Sequence, residues 1–373
     1  MRRLLALLLL LLTLMIPKAL AASTTTTSPS CQNSLDLNGL TVMQLASMLI
    51  VPTVSATSLS GVTAISAAGY GGVMISGNVA PRNFATSIGA MQNGSVWQMP
   101  LYVMTDAEGG GVMRLANALP SVPWAKNMGT WSASRITAQA NSLAQSLQAL
   151  GINMDLAPVA DVDARHDIPG ATNPDGLRSF SGSPTIAATD AAAFMAGLKA
   201  QRVTPVAKHF PGIGYSSRNS DYGSAATKSW LALQSSGLLA FKILIAAHVS
   251  VIMMSNDWTP GFSNLPASIS PLMYSYLRNS LHFSGLIITD SLSAGAFSTL
   301  HGGLSMRAVQ AIGAGADLVL LGGSSSVAQA MSNANAARAT IALAVRNGQL
   351  PLQTLRNAAG AVWAAKANQF CAR

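Results

Sequence analysis

Eight short apolar runs, recurring along the chain with mostly helical stretches between them, restrict the possible folds more than any other feature. They lie at 48–54, 72–76, 101–105, 152–159, 204–207, 249–255, 286–289 and 318–321. Each is rich in β-branched residues or Met and ends in small or polar residues. Several intervening segments, 133–150, 187–200 and 306–313 among them, repeat apolar residues at helical spacing. Continuous apolar strands alternating with helices imply parallel strands buried on both faces. Eight such units imply an α/β fold closed into a (β/α)₈ TIM barrel rather than an open sheet. Segments 327–346 and 352–368 then read as additional C-terminal helices. The chain has 373 residues, half of them hydrophobic, which one such barrel can absorb as a single domain.

Only 13 residues are acidic, and Glu108 is the sole glutamate. Their placement therefore carries information. Asp106 and Glu108 follow the third run, Asp161 and Asp163 the fourth, Lys208 and His209 the fifth, Asp257 the sixth and Asp290 the seventh. In a (β/α)₈ barrel these strand ends share one rim, where active sites are built. Helix capping accounts for one or two such aspartates. It does not account for Lys208-His209, nor for Glu108 in a Gly-rich turn.

Three segments are specific in their details: Met-Thr-Asp-Ala-Glu-Gly-Gly-Gly-Val-Met-Arg-Leu at 104–115, Lys-His-Phe-Pro-Gly-Ile-Gly at 208–214, and Ile-Ile-Thr-Asp-Ser-Leu-Ser at 287–293. Together with Gly-Leu-Arg-Ser-Phe at 176–180, in this order, they resemble glycoside hydrolase family 3, most closely its single-domain β-N-acetylglucosaminidases. The resemblance implies a retaining hydrolase that removes terminal β-linked N-acetylglucosamine, a β-N-acetylhexosaminidase acting on a carbohydrate substrate, cell-wall fragments included. It implies Asp290 as the nucleophile, since a carboxylate can attack an anomeric carbon and form a glycosyl ester that water later hydrolyses. Asp106, Arg114, Arg178, Lys208 and His209 match sugar-binding positions.

One position departs from the pattern. The hexosaminidases carry an Asp-His pair in the loop after the lysine–histidine dipeptide. The corresponding residues here are Asn219 and Asp221, so the histidine is absent. Asp221 is expected to replace it as general acid and base, with His166 and His301 in reserve. The open alternatives are a catalytically weak or inactive glycan-binding barrel, and a β-glucosidase or glycosyl-transferring enzyme of the same family. Trp124, Trp131, Trp230 and Trp258 are candidates for stacking on sugar rings, with packing the commoner use of any one.

The N-terminus has its own logic. Arg2 and Arg3 precede an apolar run over 4–16, then Pro17 and Ala19-Leu20-Ala21, the order of a secretory signal peptide. The expected organisation is a signal over 1–21, a polar linker and N-terminal segment over 22–40, and the barrel over 41–373. This makes the protein secreted or bound to the cell envelope, with no membrane span after signal removal. Loss of Arg2, Arg3 and Lys18 lowers the formal charge from +9 to +6. The remaining cations are scattered, which argues against nucleic acid as a partner; a monomer is the expected state. In an oxidising compartment Cys31 and Cys371, the two cysteines, read as one disulfide. The histidines lack ligand spacing and no phosphate-binding loop is present, so neither metal nor other cofactor is expected.

Overall fold

The structure, a computed structural model, describes residues 35–371. Eight parallel strands form its centre: Ile50–Ser55, Gly72–Ser76, Tyr102–Thr105, Met154–Asp155, a fifth in two pieces (Thr204–Pro205 and Ala207–Phe210), Val251–Met254, Leu286–Thr289 and Val319–Leu321. Each pairs with its sequence neighbour in parallel register, as in Gly72↔Tyr102 and Leu286↔Val251. Ile50↔Val319 joins the first strand to the last, and the bridge Ile288↔Leu318 joins the seventh to the eighth. Val159↔Lys208 carries the pairing from the fourth strand to the fifth. The ring is closed, and none of its eight strands is left with an unpaired edge. The barrel expected from the sequence is therefore the observed fold.

Alternation along the strands sorts their side chains into two cores. Val51, Met74, Met104, Met253, Ile288 and Leu320 are among those that fill the barrel interior. The opposite faces pack on the surrounding helices in a second, larger cluster. Several helices begin where the sequence supplies caps. Thr41 and Gln44 form a reciprocal capping box ahead of Val42–Leu49, and Ser132 accepts the Arg135 amide ahead of Ala133–Ala149. Ala133–Ala149 buries Ile136, Ala140, Leu143 and Leu147 at helical spacing. It lies close against Pro184–Ala200, where a Cβ on Gly197 would stand 2.4 Å from the Thr137 carbonyl oxygen. Any larger residue at 197 would force these helices apart.

The last helix, Leu352–Phe370, lies across the N-terminal end of the barrel. Its Val362 enters the interior cluster, and Phe370 meets the Tyr102 ring at 5.8 Å between centroids. Two expectations shift. The first apolar run begins as helix, since Met48 and Leu49 close Val42–Leu49 and the strand starts at Ile50. Lys208 and His209 lie on the fifth strand rather than after it. Their side chains serve the rim, so the apolar pattern stops before the strand does. Cys371 follows the last helix; its expected partner Cys31 and the expected signal peptide lie outside the described residues.

Candidate active site

At the C-terminal rim the strand ends surround a cavity of about 420 Å³. All seven residues expected at the site line it: Asp290 and Asp221, the acids, and Asp106, Arg114, Arg178, Lys208 and His209. The segments that supply them are separated by up to 184 residues (290 − 106), so only barrel closure can bring them together.

Glu108 organises one side. A short hairpin, Ala107–Gly109 paired with Val112–Met113, holds it, and the hairpin turns on Gly110, where a Cβ would stand 2.0 Å from the Trp124 ring. Its carboxylate receives two hydrogen bonds from Arg178, each 2.8 Å, and pairs with the Lys208 ammonium at 2.6 Å. Lys208 also donates to Asp106 at 2.7 Å. Burial opposes the charge on Glu108, but Arg178 and Lys208 outweigh it and hold the carboxyl well below the usual carboxylate range. Burial likewise works against the charge on Lys208, yet Asp106 and Glu108 raise its pKa above that of a free lysine. The network is a buried array in which every charge meets an opposite one. Such arrays fix geometry, because removal of one member strands another without water.

His209 is fixed from both sides. Its Nδ1 lies 2.7 Å from Asp161 and its Nε2 3.3 Å from the Arg178 guanidinium. Arginine can only donate, so Nε2 accepts and Nδ1 carries the proton to Asp161. Asp161 also accepts the backbone amides of His209 and Ile213. A histidine with both nitrogens engaged orients its neighbours and has no proton free for a leaving group. Arg178 is similarly occupied, since it also donates to the Pro174 carbonyl at 2.7 Å. Arg114 remains more open: it donates to Asn78 at 3.2 Å, and its salt-bridging to Glu108 or Asp106 is not found among the described residues.

Opposite this network stand the two aspartates. Asp290 ends the seventh strand, its amide bonded to the Met254 carbonyl and its carboxylate accepting the Ser291 amide at 2.6 Å. Asp221 arrives on a long loop whose attachments are specific. Asn219 accepts the Asp221 amide at 2.9 Å through its side chain, an Asx turn that aims the following residues. The loop then hooks onto the segment after Asp290: Ala296 N–H donates to the Ser220 carbonyl at 2.7 Å and Gly295 N–H to the Asp221 carbonyl at 3.0 Å. A Cβ on Gly295 would stand 2.6 Å from that Asp221 oxygen, so only glycine permits the approach. Beneath the loop the Ser216 hydroxyl donates to Asp257 at 2.5 Å. Although Asp221 retains exposed surface, its carboxyl sits in the crowded mouth. Burial and then the charge of Asp290 raise its pKa, against the pull of Arg178.

Asp221 thus stands where the relatives carry the histidine, and Asn219, at the position of their aspartate, orients it. Of the reserve candidates, neither His166 nor His301 lines the cavity, and both are exposed. The four tryptophans are absent from its wall as well. Trp230 stacks on Phe262 at 3.9 Å, Trp131 lies under Arg135, and Trp124 packs against the Gly110 turn. The organising roles of Glu108, Asp161 and Asp257 were not apparent from the sequence, though their rim positions were. Asp155 is not among the residues the sequence marks for the rim. It is wholly buried, accepts the Ala107 amide at 2.9 Å, and burial pushes its pKa up to about 7. Its position at the end of a buried strand was the available signal. No group of side chains suited to hold a metal ion occurs among the described residues.

Comparison with known proteins places this arrangement. The family model for the glycosyl hydrolase family 3 N terminal domain matches residues 41–364. Beta-hexosaminidase LpqI of Mycobacterium tuberculosis is 30% identical over 265 residues, covering 69% of this chain. That stretch spans 66% of the relative's own length, just under two thirds. Among solved structures, a beta-N-acetylhexosaminidase from Beutenbergia cavernae superposes with a TM-score of 0.78 at 29% identity, covering 88% of this chain and 99% of the other. A glycosyl hydrolase of family 3 from Mycobacterium smegmatis gives a TM-score of 0.77 at 30% identity, over 89% and 98% of the respective chains.

Proposed function

This chain belongs to glycosyl hydrolase family 3, and on that premise we propose that it is a retaining β-N-acetylhexosaminidase with Asp290 as nucleophile and Asp221 as general acid and base. The observation that carries the reading is the placement of both carboxyls on one small cavity, with Asp221 held there by the Asn219 turn and raised in pKa.

The chemistry follows from these positions. Asp290 attacks the anomeric carbon as a carboxylate, and a bond forms between its oxygen and that carbon while the glycosidic carbon–oxygen bond breaks. Protonated Asp221 gives its proton to the departing oxygen, leaving a free alcohol, a glycosyl ester on Asp290 and an ionised Asp221. Asp221 then takes a proton from water, whose oxygen attacks the same carbon and expels Asp290. Glu108 keeps Arg178 and Lys208 in place, and Lys208 in turn holds Asp106, whose carboxylate can accept bonds from sugar hydroxyls. A raised Asp221 pKa extends the pH range over which the acid is protonated while Asp290 is ionised. Turnover of substrates with poor leaving groups therefore falls as pH rises through the Asp221 pKa.

Brief exposure to a 2-fluoro glycoside, followed by intact-mass and peptide mapping, tests the nucleophile: a covalent adduct on Asp290 is expected, and an adduct elsewhere refutes the assignment. Asp221→Asn should slow a poor-leaving-group substrate by about 10²–10³-fold and spare an activated aryl glycoside in its first step. Full activity of that variant on the poor substrate refutes the acid. A second reading, glycan binding without turnover, is favoured by the absent histidine. Sugar binding with no turnover on activated substrates would establish it.

We further propose that the chain acts as an exported monomer, on cell-envelope fragments, with Cys31 bridged to Cys371. The support is the charge-then-apolar order of the first 21 residues and the presence of just two cysteines, near the two ends of the chain. Sedimentation and the mass of the exported protein before and after reduction and alkylation test these points.

A further inference from the structure

The opposite end of the barrel carries a second and larger cavity, about 1030 Å³, between the turns that enter strands five, six and seven and the last helix. Its walls are mainly apolar: Val203, Ile245, Val249 and Phe283 from the turns, Ala361 and Ala365 from the helix. Its ionisable side chains are all basic. Lys199, Arg202, His248 and His282 face it, and no carboxylate does so among the described residues. All four are exposed at the cavity mouth, and none has a side-chain hydrogen bond or ion pair to a described residue.

Arg202, His248 and His282 share an unusual backbone, with φ of 56°, 58° and 54°. Each follows a helix at a position that glycine or asparagine fills at less cost. A cation at a helix C-terminus is favoured by the helix dipole, which accounts for any one of them. It does not account for three strained basic residues, from three successive turns, converging on one apolar hollow.

An independent observation lies behind the wall. Lys366 of the last helix is 4% exposed, and its ammonium stands 5.4 Å from the centroid of the Tyr102 ring, which itself lines the cavity. No described residue gives it a hydrogen bond or a counter-ion. Burial pushes its pKa down to about 7. A negative charge in the neighbouring cavity is what this amine lacks.

We infer that the N-terminal end of the barrel binds an amphiphilic organic anion, a carboxylate or phosphate head on an apolar body, with the head among Arg202, His248 and His282 and the body against the apolar walls. The volume matches ligand sites of that size. Lys366 contributes as a positive charge behind the Tyr102 ring rather than as a direct contact. The site is separate from the sugar cavity, at the other mouth of the barrel.

Calorimetric titration at pH 6.5 with decanoate and decyl phosphate, with decanol as the uncharged control, tests the inference. At least one anion should bind at least tenfold more tightly than decanol, and the tighter one identifies the head. The triple variant Arg202→Gly, His248→Gly, His282→Gly removes the charges while easing the backbone, so its fold is not at risk. Its affinity for the anion should drop at least tenfold, with hydrolysis of an aryl glycoside unchanged. Equal binding of decanol and both anions, or unchanged affinity in the triple variant, overturns the inference.

Discussion

At the C-terminal rim Glu108 is enclosed by two cations and Lys208 by two carboxylates, whereas at the other mouth Lys366 is buried with no described counter-charge. Both ends hold charge away from water, but only the rim compensates it. The rim network fixes the site at little net electrostatic cost, because each member's desolvation is offset by its partners. The lone amine costs stability whenever it is protonated. The difference teaches that burial alone does not mark the catalytic end of this barrel; the presence of opposed charges does.

The strongest way to break that contrast is at Asp290, the proposed nucleophile. Asp290→Ala should lower kcat/KM by about 10⁴-fold or more and leave the fold intact, measured on an aryl N-acetylglucosaminide. Glu108→Gln comes next. It leaves buried Arg178 without an ion-pair partner and Lys208 with Asp106 alone, and should cost about 3–5 kcal/mol in denaturant unfolding, with loss of activity. A loss below about 1 kcal/mol would show that the rim charges are solvated after all.

At the other end the sign reverses. Lys366→Met, similar in volume and without charge, should stabilise the protein by on the order of 3 kcal/mol at pH 6. The folded pKa of Lys366, about 7, lies below its ordinary value of 10.5. Between these values the unfolded chain binds a proton that the native state does not, so wild-type stability rises with pH across the interval. The gain from the substitution should be complete below pH 7 and vanish above 10.5. Equal gains at pH 6 and pH 10 would refute the uncompensated amine.

The smallest effect belongs to Asp257, which burial pushes up to about 7 from an ordinary 3.8 while Ser216 and Ser220 donate to it. Its buried charge destabilises the native state progressively from pH 3.8 to 7 and fully above 7. Asp257→Asn should therefore raise Tm more at pH 8 than at pH 4. It should also loosen the loop that carries Asp221, costing at most about tenfold in kcat with KM little changed.

Much of this was legible in the residues. The chain is so poor in charge that a carboxylate after an apolar run stands out, and barrel closure then places Asp106, Asp221 and Asp290 together. Strand five was only half legible, because Lys208 and His209 belong to the strand but break its apolar pattern to reach the rim. The pairing of Glu108 with Arg178 spans 70 residues, and no local signal encodes it. Nor did sequence distinguish Arg178 as a partner of Glu108 and His209 from Arg178 as an open sugar contact. Lys366 looks like any helix cation until the last helix is laid across the barrel.

The seam between the first and last strands has an engineering meaning. Ile50↔Val319 makes the polypeptide a ring in all but covalent connection, so no strand is intrinsically the beginning. A gene re-cut at an exposed turn on the N-terminal side, with the old ends joined by a suitable linker, would rebuild the same sugar cavity from a new order of segments. The catalytic face would be indifferent to where translation starts, because its geometry belongs to the circle and not to the line.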